Sequence, residues 1–300
     1  MHDVSSVSEG KQPPDLLSLV LALRPADQAE GSEPTPTWWG RAAHALLLRV
    51  LREADANLAV ALHDEEGPRP FTVSSLLGPM PEGRLAPDGS YTLRLTALCR
   101  EVAERLLQAA QDGGALAPGR IVELDYRPFR VTAATWQDGQ HRWAGATTYA
   151  ELAAARLASG PPVSRQIVLQ FTSPTTFKSQ ERHMPIPLPE LVFGSLWERW
   201  NAFAPIAFPP EVRRYAAECL AVGRFHLSSR AVPMKEGGMR VGGVGQITYV
   251  SLNYDRYWMS VMHTLAAYAL YAGVGAGTTM GLGQCRRSEE HTSELQSRST

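Results

Sequence analysis

Between Gly273 and Gln284 the chain reads GVGAGTTMGLGQ, five glycines and two threonines in a dozen residues. Unencumbered backbone N–H groups at that density are suited to holding a phosphate. The spacing disfavours a mononucleotide: a P-loop needs a lysine ahead of its Ser/Thr, and here Gly277 precedes Thr278. A Rossmann turn needs G-x-G-x-x-G between a strand and a helix, whereas Gly273-x-Gly275 is followed by Thr278 with little chain left to build one. Two histidines could supply proton transfer near neutral pH. His63 lies six residues before Arg69, and His44 shares a helical face with Leu47, Leu48 and Leu51. On residue type alone, His63 and Arg69 read as solvated loop residues and His44 as a core or groove histidine.

The elements around these residues follow from periodicity. LLSLVLALRPAD is a buried-strand run ended by Pro25, and WWGRAAHALLLRVLREA is helical. PFTVSSLLG and SYTLRLTALC read as strands, REVAERLLQAAQDGG as a helix stopped by Gly113 and Gly114, and RIVELDYRPFRVTAATWQ as one strand. The order β-α-β-β-α-β is the split βαβ of ferredoxin-like folds. Polar QDGQHR makes a linker, and Thr148 to Glu151 forms a capping box opening TYAELAAARLAS. The order then repeats: RQIVLQFTS as a strand, PELVFGSLWERWNAF as a helix, an inserted helix PEVRRYAAECLA, and the strand pair VGRFHLSSRAV and VGQITYVSLN. The helix DRYWMSVMHTLAAYALYA and a last strand at MGLGQC complete it. The expectation is an α+β chain of two tandem ferredoxin-like (RRM-like) βαββαβ domains. They occupy residues 15–136 and 148–286, with a disordered N-terminus at 1–14 and a linker at 137–147. Residues 287–300 resemble the translation of a sequencing-adapter oligonucleotide and are expected to be an artefactual tail.

Composition narrows the class. With 300 residues, 44% hydrophobic and 20% charged, the chain can bury one large or two medium cores. Cys99, Cys219 and Cys285 are far apart and show no regular spacing against the eight histidines, so no zinc site or disulfide framework is signalled. No metal or other cofactor is expected, and a reducing cytoplasm suits the cysteine usage. LLSLVLAL is too short to span a bilayer and lacks a basic lead-in, so no membrane partner or export is implied. A net charge of −1 gives no global case for nucleic acid, but from Glu211 to Arg286 eight basic residues face four acidic ones. Trp197, Trp200 and Trp258 stand at helical spacing from apolar neighbours and read as core more than as base-stacking groups.

Three segments carry a resemblance to a known family. The glycine-rich stretch resembles the loop between last helix and last strand in the CRISPR-associated endoribonucleases of the repeat-associated mysterious protein superfamily. LAVALHDEEGPRPFTVS (58–74) resembles their L-H-x-x-x-G-P-[KR]-x-F-T-x-S segment, and FTSPTTFK (171–178) the stretch after the first strand of their second domain. With the element order, the resemblance covers nearly all of residues 15–286. It implies cleavage of CRISPR precursor RNA within its repeats by the RNA's own 2′-hydroxyl, a reaction that needs a base, an acid and a cation and no metal. His63 and Arg69 are then expected as base or acid and as phosphorane stabiliser, with His44 the rival histidine. Arg224, Arg230, Lys235 and Arg240 flank a hairpin suited to tracking a phosphate backbone, and His226 lines its strand. The loop residues Gly273, Gly275, Gly277, Thr278, Thr279, Gly281 and Gly283 are expected to contact RNA. The chain departs from the family at Ala276 and Gly277, where relatives carry basic residues, and at Leu48, where some carry a catalytic tyrosine. Those departures keep open a non-catalytic RNA-binding subunit of an effector complex. The implied partners are CRISPR repeat RNA and other CRISPR-associated effector subunits, the chain acting as monomer or homodimer.

Overall fold

A computed structural model describes residues 12–26, 35–64, 67–158, 161–179, 181–234 and 238–288. Its first strand, β1 (Leu16–Pro25), is buried on both faces. Leu17, Leu19, Leu21 and Leu23 enter one core while Ser18 and Val20 face the other way, which is why the strand reads as an unbroken apolar run. Each of those leucines contributes about 1.5–3 kcal/mol on burial. The helix α1 (Gly40–Ala54) covers the leucine face with Ala43, Leu46, Leu47, Val50 and Leu51, an i, i+3, i+4, i+7, i+8 stripe. A short helix α2 (Ala56–Asp64) follows, opened by Asp55, whose carboxylate accepts the amides of Asn57 and Leu58 at 3.1 Å each. The stretch carrying His63 is therefore helical, where the sequence suggested a loop.

The strands β2 (Phe71–Val73) and β3 (Tyr91–Ala97) come next, then α3 (Arg100–Ala110), β4 (Ile121–Leu124) and β5 (Arg127–Thr135). The last two were expected as a single strand. Asp125 and Tyr126 both take positive φ, 50° and 62°, and fold the segment into a hairpin. The sheet order is β2-β3-β1-β5-β4, with β6 (Gly145–Thr147) also paired to β1. Part of the expected linker is thus a strand, and Ser18 Oγ donates to the Trp143 carbonyl beside it.

After α4 (Tyr149–Leu157), whose Thr148/Glu151 capping box forms as the sequence suggests, β7 (Gln166–Thr175) starts the second unit. A small hairpin of β8 (Phe177–Ser179) and β9 (Arg182–Met184) precedes α5 (Pro189–Phe203) and α6 (Glu211–Cys219). The long strands β10 (Leu220–Pro233) and β11 (Met239–Ser251), the helix α7 (Arg256–Ala272) and β12 (Cys285–Arg287) complete it, in sheet order β10-β11-β7-β12. Both sheets have the ferredoxin-like order, so the chain is two ferredoxin-like units in tandem. The last strand begins at Cys285, not at Met280, and Arg287 and the Ser288 amide extend its ladder onto Leu169 and Val168. That pairing takes in two residues expected to belong to an artefactual tail; residues 289–300 lie outside the described ones. Trp200 is buried in the second core, where Trp197 and Trp258 pack against it.

The units meet where α7 ends on the first sheet. Its last turn leaves carbonyls without intrahelical donors, and the first unit supplies donors: Thr96 Oγ1 to the Tyr271 carbonyl at 2.8 Å and Arg94 Nη1 to that of Leu270. A guanidinium at a helix C-terminus is also favoured by the helix dipole.

Within α7, His263 is 2% exposed. Its Nε2 donates to the Ser164 carbonyl at 2.8 Å, and its Nδ1 has no partner among the described residues. Burial pulls its pKa from 6.5 to about 4 against the opposing effect of that bond. Between those values the unfolded chain binds a proton that the fold excludes, so stability is full above pH 6.5 and is lost as pH falls towards 4. The loss by pH 4 is about 3 kcal/mol. Thermal melts between pH 7 and 4.5 should show it, and His263→Gln should flatten the acid side of the curve.

Candidate active site

The glycine loop owes its composition to its path. All five glycines take positive φ, between 60° and 86°. A Cβ on Gly275 would lie 2.3 Å from the Thr176 carbonyl oxygen, and one on Gly283 2.0 Å from that of Val274. The loop folds back on itself, and most of its amides serve that purpose. Val274, Ala276, Met280, Leu282 and Gly283 donate to backbone carbonyls of the loop or of β7 and its flank, while Gly275 and Gln284 donate to Ser195 and Ser173 hydroxyls. The expected bank of free phosphate donors is therefore largely committed to structure. Ala276, Gly277, Thr279 and Met280 are the loop positions that are only half-buried.

Both units grip this loop. From α5, the half-buried Arg199 donates to the Gly275 carbonyl at 2.5 Å, and its Nη2 lies 3.3 Å from Thr278 Oγ1. From β3, Arg94 reaches the Gln284 side chain at the loop's far end, and Gln284 Nε2 donates to the Val73 carbonyl at 2.9 Å. Burial lowers both guanidinium pKa values, that of Arg94 to about 9. Each is held by neutral oxygens in the bonds named, an arrangement that raises the positive potential under the loop.

The start of α1 abuts the loop's half-buried turn. Gly40 permits the approach, since a Cβ there would stand 1.8 Å from the Met280 carbonyl oxygen. Trp38 Nε1 donates to that carbonyl at 2.7 Å, and His44 Nδ1 lies 2.9 Å from the neighbouring carbonyl, that of Thr279. A carbonyl can only accept, so Nδ1 carries the proton and Nε2 of a neutral ring keeps its lone pair. His44 is half-buried against the Phe71 ring at 5.6 Å. Burial lowers its pKa, the Thr279 bond opposes this, and the nearby Arg69 charge lowers it further. A neutral imidazole with a free acceptor nitrogen beside a guanidinium can take a proton from a hydroxyl whose neighbouring phosphate the cation holds.

The structure thus brings together His44, Arg69 and the turn around Thr279. Arg69 Nη1 donates to the Leu62 carbonyl at 2.6 Å, which ties it to α2. The side chain of His63 lies outside the described residues, as does Lys235. Arg224, His226 and Arg230 share one face of β10 by alternation, Arg224 and Arg230 exposed, and Arg240 sits opposite Val232 on β11. Phe177 is buried beneath Gly275, and Lys178 is exposed. The sequence reading passed over Trp38, Trp143, Arg94 and Arg199. The available signal was a lone arginine inside the apolar strand YTLRLTA and another inside the helix PELVFGSLWERWNAF.

Residues 169–285 match the profile of the CRISPR-associated endoribonuclease Cas6. A Cas6 of Mycobacterium tuberculosis (strain CDC 1551 / Oshkosh) is 28% identical over 134 residues, which cover 44% of this chain and 42% of that relative. A solved Cas6 product complex is 30% identical, covers 91% of this chain and 99% of its own, and superposes with a TM-score of 0.69. The Cas6 of Thermus thermophilus is 25% identical, covering 93% and 100%, with a TM-score of 0.67. With a shared fold and near-complete coverage at 30% identity, this chain belongs to the Cas6 family of CRISPR-associated endoribonucleases.

Proposed function

We propose that the protein cleaves CRISPR precursor transcripts within their repeats, using the RNA 2′-hydroxyl as nucleophile and His44 as its base. The observation that carries this reading is the Thr279 carbonyl 2.9 Å from His44 Nδ1, which leaves Nε2 of this half-buried ring as a proton acceptor. In the proposed step Nε2 takes the 2′-hydroxyl proton, the 2′-oxygen bonds to phosphorus, and the bond from phosphorus to the 5′-oxygen breaks. The products are a 2′,3′-cyclic phosphate and a 5′-hydroxyl, the latter protonated by water or by the imidazolium so formed. Arg69 meets the phosphorane charge, which exists fully only in the transition state. The positive potential under the loop from Arg199 and Arg94 compensates for the uncharged Ala276 and Gly277. The exposed Arg224 and Arg230 carry the RNA backbone past the site.

Replacing the nucleotide upstream of the cut by its 2′-deoxy form is expected to leave binding intact and stop cleavage, in EDTA as in magnesium. Equal cutting of the deoxy substrate, or a requirement for a divalent cation, would refute the mechanism. Tight binding of repeat RNA without any cleavage would instead make the chain an RNA-holding subunit.

A further inference from the structure

Between the two units lies a cavity of about 380 Å³, within the size range of small-ligand sites. Its walls come from the first sheet (Val20, Thr92, Arg94), the segment before α1 (Trp38) and β7 (Thr172, Ser173), with Arg230 of β10 completing it. Among the described residues, none that lines it is acidic. Three tryptophans line it: Trp39 is buried, whereas Trp38 and Trp143 are half-buried. Trp38 is held edge-on by the Met280 carbonyl, and the Arg230 guanidinium lies over its ring, 5.9 Å from the ring centre. Trp143 stands over the buried Arg94 at 4.8 Å, so a fixed cation forms the cavity's floor. An immobilised aromatic ring, an exposed arginine over it and no acidic group among the described lining residues form a platform for a π-system attached to an anion.

We propose that this cavity takes one unpaired nucleotide of the RNA, its base stacked on Trp38 and its phosphate on Arg230. The inference rests on the RNA-cleaving reading and extends it to a second contact. Trp38 and His44 bind consecutive carbonyls of the loop, Met280 and Thr279. A strand leaving the cavity along the loop's half-buried turn therefore passes His44. Stacking is tolerant of base identity, so the cavity senses that a nucleotide is single-stranded more than which base it carries.

Fluorescence anisotropy with labelled octauridine, and with an abasic ribose-phosphate octamer of the same length, tests this. Trp38→Leu removes both the ring and the bond to Met280, whereas Trp38→Phe restores a ring without that bond. Octauridine affinity should fall roughly 5- to 100-fold in the leucine variant and be largely retained by phenylalanine, with the abasic octamer bound alike by all three proteins. Equal losses in both variants would make Trp38 a loop anchor only and overturn the proposal, as would a leucine variant that binds octauridine like the unaltered protein. If the unaltered protein cleaves repeat RNA yet binds octauridine no better than the abasic octamer, the cavity fails and the function stands. If it neither binds nor cuts repeat RNA, both readings fail.

Discussion

His44→Ala is expected to slow single-turnover cleavage of a repeat RNA by roughly 10²- to 10⁴-fold while leaving RNA affinity unchanged, the range typical for loss of a positioned proton-transfer group. Its side chain meets the loop through one ring nitrogen, so alanine removes the base without removing the phosphate contacts assigned to Arg69, Arg224 and Arg230. The pH dependence follows from its surroundings. Burial first, and Arg69 second, hold its pKa below the ordinary 6.5. The rate should therefore fall only at pH values below 6.5, as protonation occupies Nε2, and should not depend on His44 above that. A normal rate in His44→Ala together with a dead His63→Ala would transfer the role to the histidine on α2.

Gly40→Ala should be strongly disruptive to both stability and cleavage. The new Cβ would meet the Met280 carbonyl oxygen at 1.8 Å, its carbon at 2.4 Å and Trp38 Nε1 at 2.8 Å. None of these is the free end of a flexible chain, and the loop cannot retreat because Arg199, Ser195 and Ser173 hold it from behind. Overpacking of this kind costs about 1–3 kcal/mol, and more where backbone must shift. The melting temperature should drop by several degrees. Cleavage should fall further than stability explains, because α1 can relieve the clash only by drawing His44 away from Thr279. A Gly40→Ala protein that melts and cuts normally would mean that α1 and the loop are not in contact in solution.

The tandem architecture could be read from the chain because its signals are local. Leu17 to Leu23 alternate into a core, the α1 stripe repeats at helical spacing, and Thr148 with Glu151 marks a helix start unaided. Misplacements arose where backbone conformation overrode pattern. Asp125 and Tyr126 turn a strand-like run back on itself through positive φ that neither residue type announces. MGLGQC alternates like a strand, yet Gly281 and Gly283 are left-handed, so pairing with β7 begins only at Cys285. The candidate site was legible in its parts and not in its assembly. The glycine loop, His44 and Arg69 each stood out by type, but which histidine meets the loop depends on a contact across 235 positions of sequence. Arg94 and Trp38 escaped notice because their roles exist only once the second unit covers the back of the first sheet.

In the proposed mechanism, that long-range contact makes chemical competence conditional on assembly of both units. The proton on His44 Nδ1 is fixed by a carbonyl of the second unit's glycine loop, whereas the helix bearing His44 belongs to the unit synthesised first. Until α7 has docked and β12 has zipped onto β7, the imidazole is free to place its proton on either nitrogen, and the turn that would steer a phosphodiester towards it does not exist. A nascent chain still on the ribosome, or one clipped between its units, is in this sense unarmed. In the proposed mechanism, the two-unit design therefore withholds the base until the second unit has folded against the first.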